Sequence, residues 1–401
     1  MPLRVVASRP DPALLPLPWS KPLADWDEVH LVPLPQGLSR HVVRIITTGP
    51  GGNTYVAKET EEEIAHREYR MLRELRSRNL PSVEPLGVVT GRTSDDGTPL
   101  PSVLITRHLR FSLPYRWLFS HGLGATDLPA IIDAMVVLLV RLHLANFFWG
   151  DVSLSNVLFR RNAGEFAAYL VDAETGELKS TLSEAMREHD VTVGCENVYA
   201  ELLDLTASGD LKESVDPGEV IGLLQERYDA LWDELTGAEE FDREEMWHVE
   251  QRIERLNELG FDVDEIEMVG TPTGDRYLLQ PKVVELGHHA RELAGLTGLH
   301  VEENQARRLL NDLAAFTAHF GLGEEDPEVV ANRWLVKVYE PIKAMVPPEM
   351  RGRLEPAELF HEVLVHRWFL SEAAGHEIDI FDTARDFIAT QLPHRPPMPS
   401  G

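Results

Sequence analysis

The segment WGDVSLSNVLF (149–159) constrains this chain more than any other. A glycine precedes an aspartate, Asp151, and an asparagine, Asn156, follows five residues later. Two short β-rich runs come next, NVLFRR and AAYLVD, joined by a hairpin-like NAG turn (162–164), and the second run ends on Asp172. Upstream, residues 127–147 read as an apolar helix. Gly150 permits a tight loop. Asn156 and Asp172 carry oxygen atoms of the kind that hard cations take as ligands. A carboxylate such as that of Asp151 can orient or accept the proton of a hydroxyl.

The region before it is β-rich. HLVPL, HVVRII, TYVAKE, EPLGVV and SVLITR (within 30–107) have the residue types of strands. The GPGG at 49–52 reads as a turn between the second and third of them. Between Thr60 and Arg78 the chain places acids first and bases last, which suits a helix dipole. The expectation is a sheet with one helix inserted after its third strand. Lys58 then lies on that strand and Glu68 on the helix, with Glu74 a competing partner for the lysine.

These elements occur in one order: strand lysine, helix glutamate, apolar helix, Gly-Asp-x-x-x-x-Asn, hydrophobic strand, aspartate. In this the chain resembles the protein-kinase-like fold, including its small-molecule and lipopolysaccharide-kinase branches, over roughly residues 28–205. The resemblance implies ATP and Mg²⁺ as cofactors. It implies that Lys58 contacts the nucleotide phosphates and pairs with Glu68, that Asp151 meets the acceptor hydroxyl, and that Asn156 and Asp172 hold metal. It places Arg107, His108 and Leu109 at the hinge, where backbone groups would bind adenine. It assigns phosphate contact to the turn PLPQGLSRHVV through Gly37, Ser39 and Arg40.

The departures are specific. The glycine-rich loop retains only Gly37. Trp149-Gly150 replaces the usual His-Arg or His-Gly, and Ser153 stands where protein kinases have a lysine. Asp172 is followed by Ala173-Glu174 instead of Phe-Gly, and no Ala-Pro-Glu follows. The peptide platform of a protein kinase is therefore not expected.

The rest of the chain reads as largely helical. A helical hairpin is expected to turn near 236–241. A β-hairpin follows over 263–284, then helices from about 287 to 391, broken by DPE, VPPE and LEP. The stretches HREYRMLREL, ENVYAELLDL and FHEVLVHRWFLSEAAGHEI resemble a bacterial, largely actinobacterial, family that joins a lipopolysaccharide-kinase-like region to a C-terminal domain of unknown function. In HEVLVH the histidines, His361 and His366, are five residues apart. That is about 140° around a helix, so they do not share a face as zinc ligands require. His288-His289 reads as a surface pair, WLVKVYEPIK as amphipathic packing, and the acidic runs at 60–63 and 323–328 as helix starts.

Composition sets the partners. Thirty-eight basic against 66 acidic residues give a net charge of −28, which disfavours nucleic acid. The single cysteine, Cys195, forms no internal disulfide. The N-terminus is interrupted by prolines and is expected to wrap the surface. The run AMVVLLV is far too short to span a bilayer, so a cytoplasmic protein is expected. The fold class is α/β (α+β): two kinase-like lobes and a mostly helical C-terminal extension containing one β-hairpin. Its expected parts are a Pro-rich segment (1–27), an N-lobe (28–109), a C-lobe core (110–212), the C-terminal domain (213–392) and a loose tail (393–401). The expected activity is phosphotransfer from ATP to a hydroxyl of a small-molecule or glycan-like acceptor. Two alternatives stand beside it: a pseudokinase that binds nucleotide, or nothing, and signals to a protein partner through its C-terminal domain, and AMP transfer on the same fold.

Overall fold

The computed structural model describes residues 3–8, 11–32, 41–48, 53–120, 128–212, 215–242, 247–258, 260–270 and 276–395. The chain divides into two units, Met1–Arg160 with Ala168–Tyr228, and Arg161–Ala167 with Asp229–Ser400.

The first unit opens with a five-stranded antiparallel sheet in the order β1 (Arg4–Ala7), β4 (Pro85–Thr90), β5 (Ser102–Arg107), β3 (Thr54–Thr60), β2 (Val43–Thr47). Helix α1 (Glu62–Ser77) follows β3, as the sequence indicates. Strand alternation sorts the side chains. On β3, Tyr55 and Ala57 enter a core with Ile46, Val103 and Ile105, while Val56 and Lys58 line a cleft on the other face.

The N-terminal segment corrects one expectation. It does not merely wrap the surface. Arg4–Ala7 pairs with β4, and Leu14, Leu17, Trp19, Leu23 and Trp26 are buried on the sheet. Proline prevents a long helix there, and short 3₁₀ turns at Pro12–Leu14 and Leu23–Asp25 place the apolar residues instead. Gly87 is required where the two strands meet, because a Cβ would lie 2.5 Å from the Val6 carbonyl oxygen. The run HLVPL is not a strand in its described part, which is a 3₁₀ turn and a single bridge from Leu31 to Ile46.

Further along the chain, α3 (Leu128–Leu144) is buried on most sides, as an apolar core helix must be. A three-stranded sheet follows in the order β6 (Ser112–Pro114), β8 (Val157–Asn162), β9 (Glu165–Leu170). The loop 149–156 lies between β7 (Phe147–Phe148) and β8, and α4 (Glu184–Ser208) comes after the hairpin.

In the second unit, β12 (Phe261–Gly270) and β13 (Arg276–Leu286) form the expected hairpin. A third strand, β11 (Glu239–Asp242), pairs with β13 in the stretch where a plain helical turn is expected. Helices α7 (His288–Thr297), α8 (Glu303–Phe320), α11 (Pro356–Ala374) and α12 (Ile380–Thr390) enclose a core around Trp334, Tyr339 and Phe360. A π-helical turn at Leu335–Tyr339 leaves Lys337 exposed. Asp326 caps the helix that begins at Pro327, and His289 lies 2.7 Å from Glu303. His366 bonds Asp386 at 2.6 Å, while His361 is buried. Among the described residues, no helix is long and apolar enough to cross a membrane.

Candidate functional site

Lys58 is the centre of a buried charge cluster. Its Nζ lies 3.0 Å from Glu68 Oε2, 2.7 Å from Asp172 Oδ2 and 3.2 Å from Glu174 Oε2. Strand β3 aims the lysine into the cleft. Glu68 belongs to the buried stripe of α1 with Ala65, Tyr69, Leu72 and Leu75. Asp172 lies just beyond β9, and its Oδ1 accepts the Glu174 N–H at 3.0 Å. His41 Nε2 lies 3.1 Å from Glu174 Oε2.

One ammonium faces three carboxylates. Burial penalises the charged carboxylate of Glu68, and the nearby Asp172 adds repulsion. Together they push it up to about 8 despite Lys58. Burial also works against the charge of Lys58, but the carboxylates outweigh it and hold the ammonium above its ordinary range. The second oxygen of Glu68 is buried and has no hydrogen-bond partner among the described residues.

Asp151 and Asn156 meet within the loop. Asn156 Nδ2 donates to the Asp151 backbone oxygen at 3.0 Å and to Oδ2 at 3.2 Å. Gly150 has φ +76°, the conformation for which a glycine is expected there. Asn156, Asp172, Lys58 and Glu68 all line the cleft, whose apolar walls include Val43, Ile45, Val56 and Leu104.

Helix α4 braces this loop with four residues that the sequence reading missed. Asp190 accepts the N–H groups of Trp149 and Gly150 at 2.8 and 2.7 Å. Gly194 packs on Val152, where a Cβ would come within 2.9 Å. Asn197 donates to Asp151 Oδ1 at 3.3 Å and to the Val152 oxygen at 3.0 Å. Glu201 accepts the N–H groups of Leu154 and Ser155, both at 2.8 Å. Their spacing of four, three and four residues puts them on one helical face. That polar stripe was the available signal. His143 completes the brace, with Nε2 3.1 Å from Asp190 and Nδ1 2.7 Å from the Tyr228 hydroxyl; burial lowers its pKa.

At the expected hinge, Arg107 directs its side chain to Glu84 at 2.7 Å, and Leu109 lines the cleft. The His108 ring between them has a pKa lowered to about 4, first by burial and then by Arg110. Gly37, Ser39 and Arg40 lie outside the described residues, as does the GPGG turn.

The lipopolysaccharide kinase (Kdo/WaaP) family matches residues 51–193, and the domain of unknown function DUF4032 matches residues 230–392. A solved structure titled "WaaP in complex with acyl carrier protein" aligns with 13% identity and a TM-score of 0.31, over 50% of this chain and 90% of that chain. No curated protein matches the chain. Lys58, Glu68, Asp151, Asn156, Asp172 and Glu174 all fall within the first matched region, so the charged cluster lies within the stretch that matches the lipopolysaccharide kinase family, followed in the chain by the stretch that matches a domain of unknown function.

Proposed function

We propose that this chain is an ATP- and Mg²⁺-dependent phosphotransferase that acts on a hydroxyl of a small-molecule or glycan-like acceptor. One observation carries the reading: four elements far apart in sequence converge on one cleft, with Lys58 bridging Glu68 and Asp172 beside the Asp151–Asn156 loop. The apolar walls suit a planar base. Backbone groups of Arg107 and Leu109 would contact it, and Gly37, Ser39 and Arg40 are the residues proposed for the phosphates.

The donor set fits a hard divalent cation. Asn156 and Asp172 offer oxygen ligands, and the cluster holds more carboxylate than one lysine balances. A bound Mg²⁺ supplies positive charge against that of the phosphoryl group. Lys58, held by Glu68, would neutralise phosphate oxygens from a rigid strand. Asp151, oriented by Asn156 and Asn197, would take the acceptor's proton as its oxygen bonds to the γ-phosphorus and the bond to the β-phosphate oxygen breaks. The family match supports a glycan-like acceptor. A competing reading, a nucleotide-free signalling module, is favoured by Glu174 taking a third place on Lys58.

Calorimetric titration of ATP with Mg²⁺ into wild type and Asp172→Ala, side by side, separates the two. The expected result is metal-dependent binding in wild type that disappears in the variant. A folded wild type that binds no ATP would give the site to the signalling module. Detection of phosphate or AMP on an acceptor then fixes the transfer.

A further inference from the structure

The β8–β9 hairpin runs from the candidate metal ligands to the C-terminal domain. Asn156 immediately precedes β8, and Asp172 lies two residues beyond β9. The two ends are tied by the Val171 N–H, which donates to the Asn156 backbone oxygen at 3.0 Å. The other end of the hairpin, Arg161–Ala167, belongs to the second unit. Strands of this length span about 20 Å at roughly 3.3 Å per residue.

Within the second unit, α8 and α11 bond this tip residue by residue. Asn162 Oδ1 accepts the N–H groups of Asn304 and Gln305, at 2.9 and 3.2 Å, at the start of α8. The Ala163 N–H donates to Glu358 Oε2 at 2.8 Å. Gln305 Nε2 donates to the Arg161 backbone oxygen at 3.1 Å and to Glu358 Oε2 at 3.0 Å. Asn304 Nδ2 donates to Glu165 Oε2 at 2.7 Å. Gln305 is fully buried and Glu358 is 2% exposed. Ala163 adopts φ +53° and Gly164 φ +87°. Two positive φ values suit a tight hairpin turn, yet the first costs energy for a residue with a Cβ. Buried, mutually satisfied polar groups of this kind fix one geometry.

We infer that Glu358 and Gln305 are positioning residues, through which the C-terminal domain sets the placement of Asn156 and Asp172 by holding the tip of the hairpin that carries them. The inference rests on the proposed metal-ligand roles of Asn156 and Asp172. Glu358 touches neither nucleotide nor metal in this scheme. Its effect travels along two paired strands, an element stiff enough to carry it.

The test uses the full chain, as Glu358→Ala, Glu358→Gln and Gln305→Ala, with two readouts. The first is hydrogen exchange at the Leu170 and Val171 amides, at the far end of the hairpin. The second is ATP affinity with Mg²⁺ and with chelator. Glu358→Ala is expected to speed exchange at both amides at least tenfold and to weaken Mg²⁺-dependent ATP binding about tenfold, leaving metal-free binding unchanged. Glu358→Gln keeps an oxygen acceptor and should recover most of both effects. Gln305→Ala, which leaves Glu358 on the Ala163 N–H, should act in the same direction and more weakly, so the result does not depend on one variant folding. Unchanged exchange in the folded Ala variants overturns the coupling, whatever ATP does. Faster exchange with wild-type Mg²⁺-dependent binding overturns the positioning role. Faster exchange in a chain whose wild type binds no ATP upholds the coupling and instead removes the nucleotide reading.

Discussion

Lys58 and Glu59 are neighbours on β3, and both are buried, at 8% and 7% exposed. Their side chains leave the strand on opposite faces and meet opposite situations. Glu59 faces one cation, Arg92, at 2.8 Å, and also accepts the Leu23 N–H at 2.9 Å. Arg92 gives its remaining contacts to the backbone oxygens of Trp19, Lys21 and Pro101. One charge balances one charge, and the donors are placed. Lys58 faces three carboxylates, one of which has an oxygen buried without a partner among the described residues. The balanced face ties the N-terminal segment to the sheet. The other face, among the described residues, gathers three carboxylates around one lysine.

The largest effect should come from unbalancing the balanced face. Arg92→Met leaves Glu59 buried without its cation and three backbone oxygens without their donor. The expected loss is about 3–5 kcal/mol of stability, as for other broken buried pairs. Urea denaturation of the variant measures it. Adding Glu59→Leu should recover the part of the loss that comes from the orphaned charge, while the Leu23 N–H and the three backbone oxygens stay unpaired. A loss no greater than that of an ordinary surface substitution would remove the distinction between the two faces.

The unbalanced face should reveal itself through pH. The Glu68 carboxyl is raised from 4.5 to about 8 in the folded chain, by burial first and by Asp172 second. Between those values the folded state binds more protons than the unfolded state. Stability contributed by this group is therefore fully present below about pH 4.5 and is lost as pH rises through about 8. Lys58, also raised, keeps its contribution across this window, because its unfolded value lies above it. Denaturation at several pH values should show wild type losing stability across the window relative to Glu68→Gln. Saturating Mg²⁺ should flatten the wild-type slope, since added positive charge lowers the carboxyl again. Identical slopes in both proteins would mean that Glu68 is already compensated.

The order of strand, helix, loop and hairpin was legible because each element carries a local signal. SVLITR is strand β5 residue for residue, and the chain around Lys58 alternates as a two-faced strand must. What escaped was non-local. Nothing near Arg4–Ala7 announces its pairing with Gly87–Thr90, more than eighty residues away for most of the pairs, and proline-rich composition masked the apolar residues that cover the sheet. Strand β11 escaped for the same reason, since four residues find their meaning only against β13. At the site, Asp190, Asn197 and Glu201 escaped because their polar stripe names no partner, and most of their bonds go to backbone N–H and C=O groups, which leave no trace in residue type. Glu174 was read only as a departure from a motif, whereas its carboxylate joins the cluster.

The smallest effect tests the one choice at the site that sequence left open, between Glu68 and Glu74 as partner of Lys58. They are six residues apart, about 240° around the helix, and so on different faces. Glu68 shares its face with Ala65, Leu72 and Leu75, which are buried with it, while Glu74 forms an exposed pair with Arg78 at 2.9 Å. Exposed helical pairs of this spacing contribute only about 0.3–0.5 kcal/mol. Glu74→Ala should therefore cost no more than that in denaturation and leave Mg²⁺-dependent ATP binding unchanged, whereas Glu68→Ala should weaken that binding by freeing Lys58. The apolar stripe of α1 is what separates the two in the fold: Glu68 falls in register with it and meets Lys58 inside, whereas Glu74 lies off it.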